Sequence, residues 1–296
     1  MKISIVTPSF NQAEFIERTI LSIWSQEGDF ELEHIIADGG STDDSVKIIK
    51  KYDELYKNKK FDFKCKKVTF KWWSKKDKGQ SDALNKGFQA STGDILGWLN
   101  SDDTFCSNHS LQKVFQAFQK YPEADVIAGN LYYIDVNDKN KNKSEYISEL
   151  PEGPISEREM KNLYQIDYIP QPSTLFKKEV YEECKIDENW YYAMDWDLWV
   201  TAYRKGFKIY KTDDFIGNLR VQENAKTTIG GIKMYREKLK FYKKYKTWGL
   251  NRVNCYFFFI QHSLNKIPVL GTLFEVFVKL LGKVRRFLFK KSLPVS

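Results

Sequence analysis

The 296-residue sequence holds only four cysteines, Cys65, Cys106, Cys184 and Cys255, scattered with no Cys-x-x-Cys pair, and only three histidines. That scarcity excludes a disulfide framework and a zinc site of the usual ligand spacing, and leaves free thiols in a reducing compartment as the expectation. Long apolar runs are missing too: no stretch reaches the roughly 18 uncharged apolar residues of a membrane-crossing helix. The opening segment MKISIVTPSFNQ is too short in apolar residues before Pro8 for a secretory core of roughly 7–15 residues, so no export signal is expected. Internal repeats are likewise absent.

What is present is a globular composition, 42% hydrophobic, 29% charged and 16% aromatic, which excludes disorder and suffices for a sizeable core. One large domain with appendages, or two domains, fits this length. The net charge of +8 is unevenly spread: residues 232–296 carry 15 Lys/Arg and 2 acids, leaving residues 1–231 with 32 against 37. The basicity therefore belongs to the tail.

Along the chain, Lys2–Thr7 reads as a buried strand stopped by Pro8. Asn11, with Glu14 three residues on, predicts a helix N-cap before Phe15, Ile16, Thr19, Ile20 and Ile23 at helical spacing. Glu33–Asp38 is a second strand, after which Ser41 and Asp44 are expected to cap a helix bearing Val46, Ile48 and Ile49. A third strand over Phe70–Ser74, a helix around Ala83, Leu84, Gly87 and Phe88, and a fourth strand DILGWL follow. This alternation predicts an α/β fold with a mostly parallel sheet and ligands at the carboxyl ends of its strands. Residues 104–231 are less regular, with a strand at Asp125–Tyr132, a polar excursion at 137–145 and a helix over Trp190–Tyr203.

From 232 the chain reads as helical and basic, and from Ile267 as strongly amphipathic. Leu270, Leu273, Phe274, Phe277, Leu280, Leu281, Val284, Phe287 and Leu288 share one face, with Lys279, Lys283, Arg286 and Lys290 on the other. Such a helix suits an anionic membrane surface, or docking on a core with its cations solvated.

Three segments of the first hundred residues carry a resemblance when taken together: ISIVTPSFNQAEFI, HIIADGGSTDDS and DKGQSDALNKGFQASTGDILGWLNSDD. The chain resembles the family 2 inverting glycosyltransferases of GT-A fold, particularly bacterial enzymes that build surface polysaccharides, over roughly residues 1–225. The resemblance implies a nucleotide-sugar-binding half (1–103) and an acceptor-side half (104–231); the basic helical extension (232–296) is read from its charge and spacing instead. The resemblance also implies a nucleotide-sugar donor, UDP by default, and a divalent metal, Mn²⁺ or Mg²⁺, that neutralises the diphosphate as the glycosidic bond breaks.

Residue by residue, the resemblance points to Thr7, Pro8, Ser9 and Asp38 as holding the nucleoside. It assigns donor contacts to Gln80, Ser81, Asp82 and Asn85, although an Asp in that helix start also suits the macrodipole. Asp102 and Asp103 match the metal carboxylates, offering hard oxygens. Where relatives read Asp-x-Asp this chain has Asn100, followed by Ser101, on the ribose side. Gln171, in Gln171-Pro172-Ser173, matches an acceptor or donor-sugar loop, or is simply a Pro-fixed turn. An inverting transfer needs a general base; in Met194-Asp195-Trp196-Asp197, Asp195 matches that position and Asp197 a supporting one. Relatives often carry Arg-x-His later on, whereas Arg220 is followed by Gln222, a weaker metal ligand. Metal dependence is then reduced, and Arg220 with Lys226 shares the diphosphate charge. His34, His109 and His262 read as structural or surface residues.

These readings converge on transfer of a sugar to a hydroxyl of a lipid-linked or growing glycan at the cytoplasmic membrane face. A sugar-1-phosphate nucleotidyltransferase would call for a Gly-rich basic loop after the first strand, which TPSFNQ lacks. A nucleic-acid reader using the aromatic, Lys-rich 235–258 segment is opposed by the acidic balance of residues 1–231, so nucleic acid is not an expected partner.

Overall fold

A computed structural model of the chain describes residues 1–223, 226, 230–247, 249, 251–253 and 255–256. The chain divides into two compact units, residues 1–229 and 230–296. The amphipathic segment from Ile267 and His262 lie outside the described residues.

The first unit opens with β1 (Lys2–Ser9), α1 (Ile16–Trp24), β2 (Glu27–Asp38), α2 (Ser45–Lys57), β3 (Lys64–Ser74), α3 (Gln80–Ala90) and β4 (Ile95–Trp98). It continues through β5 (Thr104–Phe105), α4 (Ser110–Lys120), β6 (Val126–Ile134), β7 (Asn140–Lys143), α5 (Glu145–Ser148), β8 (Gly153–Pro154) and α6 (Glu157–Leu163). The last elements are β9 (Thr174–Lys177), α7 (Lys178–Cys184), α8 (Met194–Arg204) and β10 (Ile209–Arg220). The strands form one sheet in the order β3-β2-β1-β4-β9-β6-β10-β5, with β7 added to β6 and β8 to β10.

β1, β2, β3 and β4 pair in parallel. β9 is antiparallel to both β4 and β6, so β6 runs the same way as β4, and β10 is parallel to β6. Six strands therefore end along one edge, and the turn that opens β9 lies at that same edge. This is why Ser9, Asp38, Asn100, Gln171 and Arg220, far apart in sequence, are brought to one side of the molecule.

β1 is buried along nearly its whole length, as a parallel strand covered on both faces must be. Helix α3 approaches β1 closely because Gly87 has no Cβ: one there would stand 2.3 Å from Val6 Cγ1. Behind the sheet, Trp24 is ringed by Tyr52, Tyr56, Phe61, Phe63 and Phe70 at centroid distances of 5.1–6.3 Å. Trp24 Nε1 donates to His34 Nδ1 at 3.1 Å, so the proton of this buried imidazole sits on Nε2, which faces Thr7 Oγ1 at 3.0 Å. Burial holds the His34 imidazole down at about 3, and it stays neutral.

Two helix starts differ from the sequence expectation. Asn11 is not an N-cap: it takes a left-handed φ of 53°, and its Oδ1 accepts from Thr42 N at 2.8 Å, tying two loops together. α1 begins only after Phe15, without a side-chain cap. Likewise α2 begins at Ser45, because Ser41 Oγ donates to Asp38 instead of capping. β2 and β3 start earlier than expected, at Glu27 and Lys64. Gly28 at φ 155° and the register shift before Glu31 mask the start of β2, and β3 is an edge strand whose lysines blur any apolar pattern.

The second unit contains α9 (Gly231–Lys244), in which Phe241 and Tyr242 are buried and Lys243 and Lys244 fall in the last turn, favoured by the helix dipole.

Candidate active site

A cavity of about 1080 Å³ opens at the carboxyl edge of the sheet. Pro8 and Ser9 reach it from the end of β1, and Asn100, Ser101, Asp102 and Asp103 from the turn after β4. Gln80 at the start of α3, Gln171 before β9, Asp195 at the start of α8, Arg220 at the end of β10, and Gln222 and Lys226 beyond it complete the set of expected residues that line it. Ser9 Oγ is buried and has no hydrogen-bond partner among the described residues, an unspent polar atom at the cavity wall.

The floor is a connected amide network. Lys226 Nζ donates to Gln80 Oε1 at 2.9 Å, and Gln80 Nε2 donates to Asn100 Oδ1 at 2.7 Å. Asn100 Nδ2 donates onward to Asp103 Oδ2 at 3.1 Å and Gln171 Oε1 at 3.0 Å, and Gln171 Nε2 to Trp98 O at 2.6 Å. Lys226 also stands 3.8 Å from the Tyr191 ring centroid, a cation–π contact that fixes its position.

Asp102 and Asp103 sit side by side, Asp103 buried and Asp102 partly exposed to the cavity. Burial pushes the Asp103 carboxyl well above its ordinary range, and the neighbouring Asp102 charge pushes it further; burial raises Asp102 too, offset by Gln222 and Arg220. The Asp103 oxygens accept from Arg220 N at 2.9 Å and from Asn100 Nδ2, so it backs Asp102 from behind. Asp102 Oδ2 accepts from Gln222 Nε2 at 2.7 Å. Among the described residues no group of three or more His, Cys, Asp or Glu is gathered to hold a metal. The Asp102 carboxylate, with the Gln222 amide oxygen beside it, would suit a hard cation.

Several expected contacts point elsewhere. The Arg220 guanidinium donates to Asp102 O, Asp135 O and Asp138 Oδ1 and lies 4.8 Å over the Phe15 ring; its charge reaches the carboxylate pair while its N–H groups hold the loop after β6. Asp38 accepts from Gly40 N, Ser41 N, Ser41 Oγ and Ser74 Oγ, shaping the loop rather than lining the cavity. Thr7, Ser81, Asp82, Asn85 and Asp197 are also outside the lining. Asp82 Oδ2 accepts from Lys78 N and Lys86 Nζ, and Ser81 and Asn85 bond to the backbone of the segment before α8. Asp195 and Asp197 diverge as residues two apart on a helix must, the first into the cavity and the second buried in the fold.

Sequence reading did not single out Asp77, Tyr133, Tyr146, Tyr191 or Tyr192, all of which line the cavity. Burial raises the Asp77 carboxyl, with Asp82 and Asp38 adding to it against the Gly79 N–H. Asp77 stands in the same DKGQ stretch as Gln80, so a signal was there; the tyrosines, Tyr133 in β6, Tyr146 in α5 and Tyr191 and Tyr192 ahead of α8, carry no motif.

Comparison with known proteins places this geometry. An uncharacterised glycosyltransferase of Nostoc sp. is 29% identical over 231 residues, 76% of this chain and 63% of that protein. The GalNAc(5)-diNAcBac-PP-undecaprenol beta-1,3-glucosyltransferase of Campylobacter jejuni is 26% identical over 71% of this chain and 62% of its own length. The chain thus spans less than two thirds of these relatives. Among solved structures, S. aureus TarS 1–349 in complex with UDP-GlcNAc superposes with a TM-score of 0.61 at 15% identity, over 90% of this chain and 73% of that one. A mannosyltransferase from Pyrobaculum calidifontis, in complex with GDP-Man and Mn²⁺, gives 0.55 at 15% identity, over 83% and 64%. These two likenesses show the fold, a GT-A type α/β sheet. Residues 4–185 match the glycosyl transferase family 2 profile, and with well over half its length inside that match the chain belongs to this family.

Proposed function

We propose that the protein transfers a sugar from a nucleoside-diphosphate donor, UDP-linked by default, to a hydroxyl of a lipid-linked or growing surface glycan, with inversion at the anomeric carbon. The observation that carries the reading is convergence: the Pro8–Ser9 loop, the Asp102–Asp103 pair and Asp195 reach one cavity from β1, β4 and α8. Ser9 Oγ, buried and unspent, offers the nucleoside a hydrogen bond. Lys226 and the buried Arg220 charge favour the diphosphate at the carboxylate end. Asp102 and Gln222, backed by Asp103, would hold a divalent cation, which when bound supplies charge neutralisation to the departing nucleoside diphosphate.

Asp195 takes the proton of the acceptor hydroxyl as the oxygen attacks the anomeric carbon from the face opposite the leaving group. Asp197, buried two residues on, supports the start of α8. The Tyr133 and Tyr146 side of the cavity suits a sugar acceptor, since sugar rings stack on aromatic faces. The Campylobacter relative's name specifies a PP-undecaprenol substrate, and the cationic amphipathic tail supports an acceptor held at an anionic membrane.

Calorimetric titration with UDP, GDP and dTDP, each with Mn²⁺ and with chelator, tests the reading. Metal-assisted binding of one nucleotide is expected. Binding that ignores metal would move the phosphate-neutralising role to Lys226 and Arg220, and no binding under any condition would contradict the donor site.

A further inference from the structure

Ser81 and Asn85 lie one helical turn apart on α3 and share a face, distinct from the one Gln80 and Ala83 turn to the cavity. The Asn85 amide is fully engaged. Its Nδ2 donates to Ile186 O at 2.8 Å, while its Oδ1 accepts from Ile186 N at 3.2 Å and from Tyr181 Oη at 3.3 Å. Ser81 Oγ donates to Trp190 O at 2.9 Å. The segment so gripped, from the end of α7 at Cys184 to the start of α8 at Met194, is neither helix nor strand, and it leaves α7 through Lys185 at φ 49°. Side chains of α3 thus replace the ladder bonds that irregular backbone lacks, and two residues of a motif matched to the donor are spent on the chain that leads to Asp195.

We propose that Asn85, assisted by Ser81, is a positioning residue for the transfer: it fixes segment 186–193 so that α8 begins where Asp195 faces the cavity. The proposal rests on the reading of Asp195 as general base. It couples the two halves of the site through α3, whose first turn lines the donor end with Gln80 while its next turn holds the base. A displacement on the order of 1 Å at a reacting group costs on the order of 100-fold in rate, so loss of the clamp acts on turnover and leaves nucleotide affinity alone.

The test compares the full chain as wild type, Asn85→Ala, Ser81→Ala and Asp195→Asn by three readouts: amide hydrogen exchange over 186–193, UDP affinity, and turnover of the UDP-sugar the wild type cleaves fastest. For Asn85→Ala the expected result is exchange over 186–193 at least about tenfold faster, UDP affinity within about twofold, and turnover lowered about 10- to 100-fold. Ser81→Ala, which removes one bond, is expected to show the same pattern at about three- to tenfold, and it carries the test if Asn85→Ala does not fold. UDP affinity weakened tenfold with exchange unchanged would make Asn85 a donor contact and overturn the proposal. Faster exchange with full turnover would reduce the clamp to stability alone and equally overturn it. Full turnover by Asp195→Asn would instead overturn the base assignment, while the exchange data would still report the clamp.

Discussion

Asn100 stands where the family resemblance leads one to expect the first carboxylate of Asp-x-Asp, and its surroundings suit an amide there. It donates to Asp103 and Gln171 and accepts from Gln80; a carboxylate would lose both donations and set a third carboxylate beside Asp102 and the buried Asp103. Asn100→Asp, although it restores the family pattern, is expected to destabilise the fold by about 2–4 kcal/mol and to weaken nucleotide binding at least about tenfold, read by thermal unfolding and calorimetry. Unchanged stability would show the network to be dispensable. At this scale the sequence was readable where a residue's placement follows from its element: Ser9 at the end of β1, Asp102 in the turn after β4 and Asp195 at the start of α8 all line the cavity. Side-chain direction was not readable: Asp38 and Asn85 bond to Ser41 and Ile186, and no spacing rule reports that.

Among the elements, one buried carboxylate bridges the parallel strands in addition to their backbone ladders. Glu33 of β2 accepts from Ser4 Oγ of β1 at 2.6 Å, Lys71 Nζ of β3 at 2.9 Å and Thr92 N ahead of β4 at 2.7 Å. Burial alone would raise its pKa, but the hydrogen bonds from Ser4, Thr92 and Lys71 outweigh it and hold it at about 2 against an ordinary 4.5. A carboxylate depressed on folding stabilises the native state above its unfolded pKa, and this contribution is lost as pH falls from about 4.5 towards 2. A shift of that size is worth about 3 kcal/mol. Glu33→Gln is therefore expected to lower stability in denaturant at pH 7 by about that amount and to flatten the loss between pH 5 and 3; an unchanged acid limb would refute the latch. Strand and helix order was legible from apolar runs, because strands covered on both faces leave continuous hydrophobic stretches. Helix starts were not, since Asn11 and Ser41 spend their polar groups on neighbouring loops, competition that a cap pattern does not reveal.

For the whole molecule, the separation of charge is the feature with most consequence. Residues 1–231 carry more acids than bases, whereas 232–296 carry 15 Lys/Arg against 2 acids. Full-length protein is expected to sediment with vesicles containing phosphatidylserine and not with phosphatidylcholine alone, and to be released as salt approaches 0.5 M, where screening shortens below about 5 Å. Binding to both vesicles alike, or to neither, would count against the electrostatic anchor. The central claim is that one cavity joins the donor site to the base. Turnover of a UDP-sugar by Asp195→Asn at unaltered UDP affinity tests it most directly: the account predicts a loss of at least about 100-fold in kcat, and turnover within a few fold of wild type would contradict it.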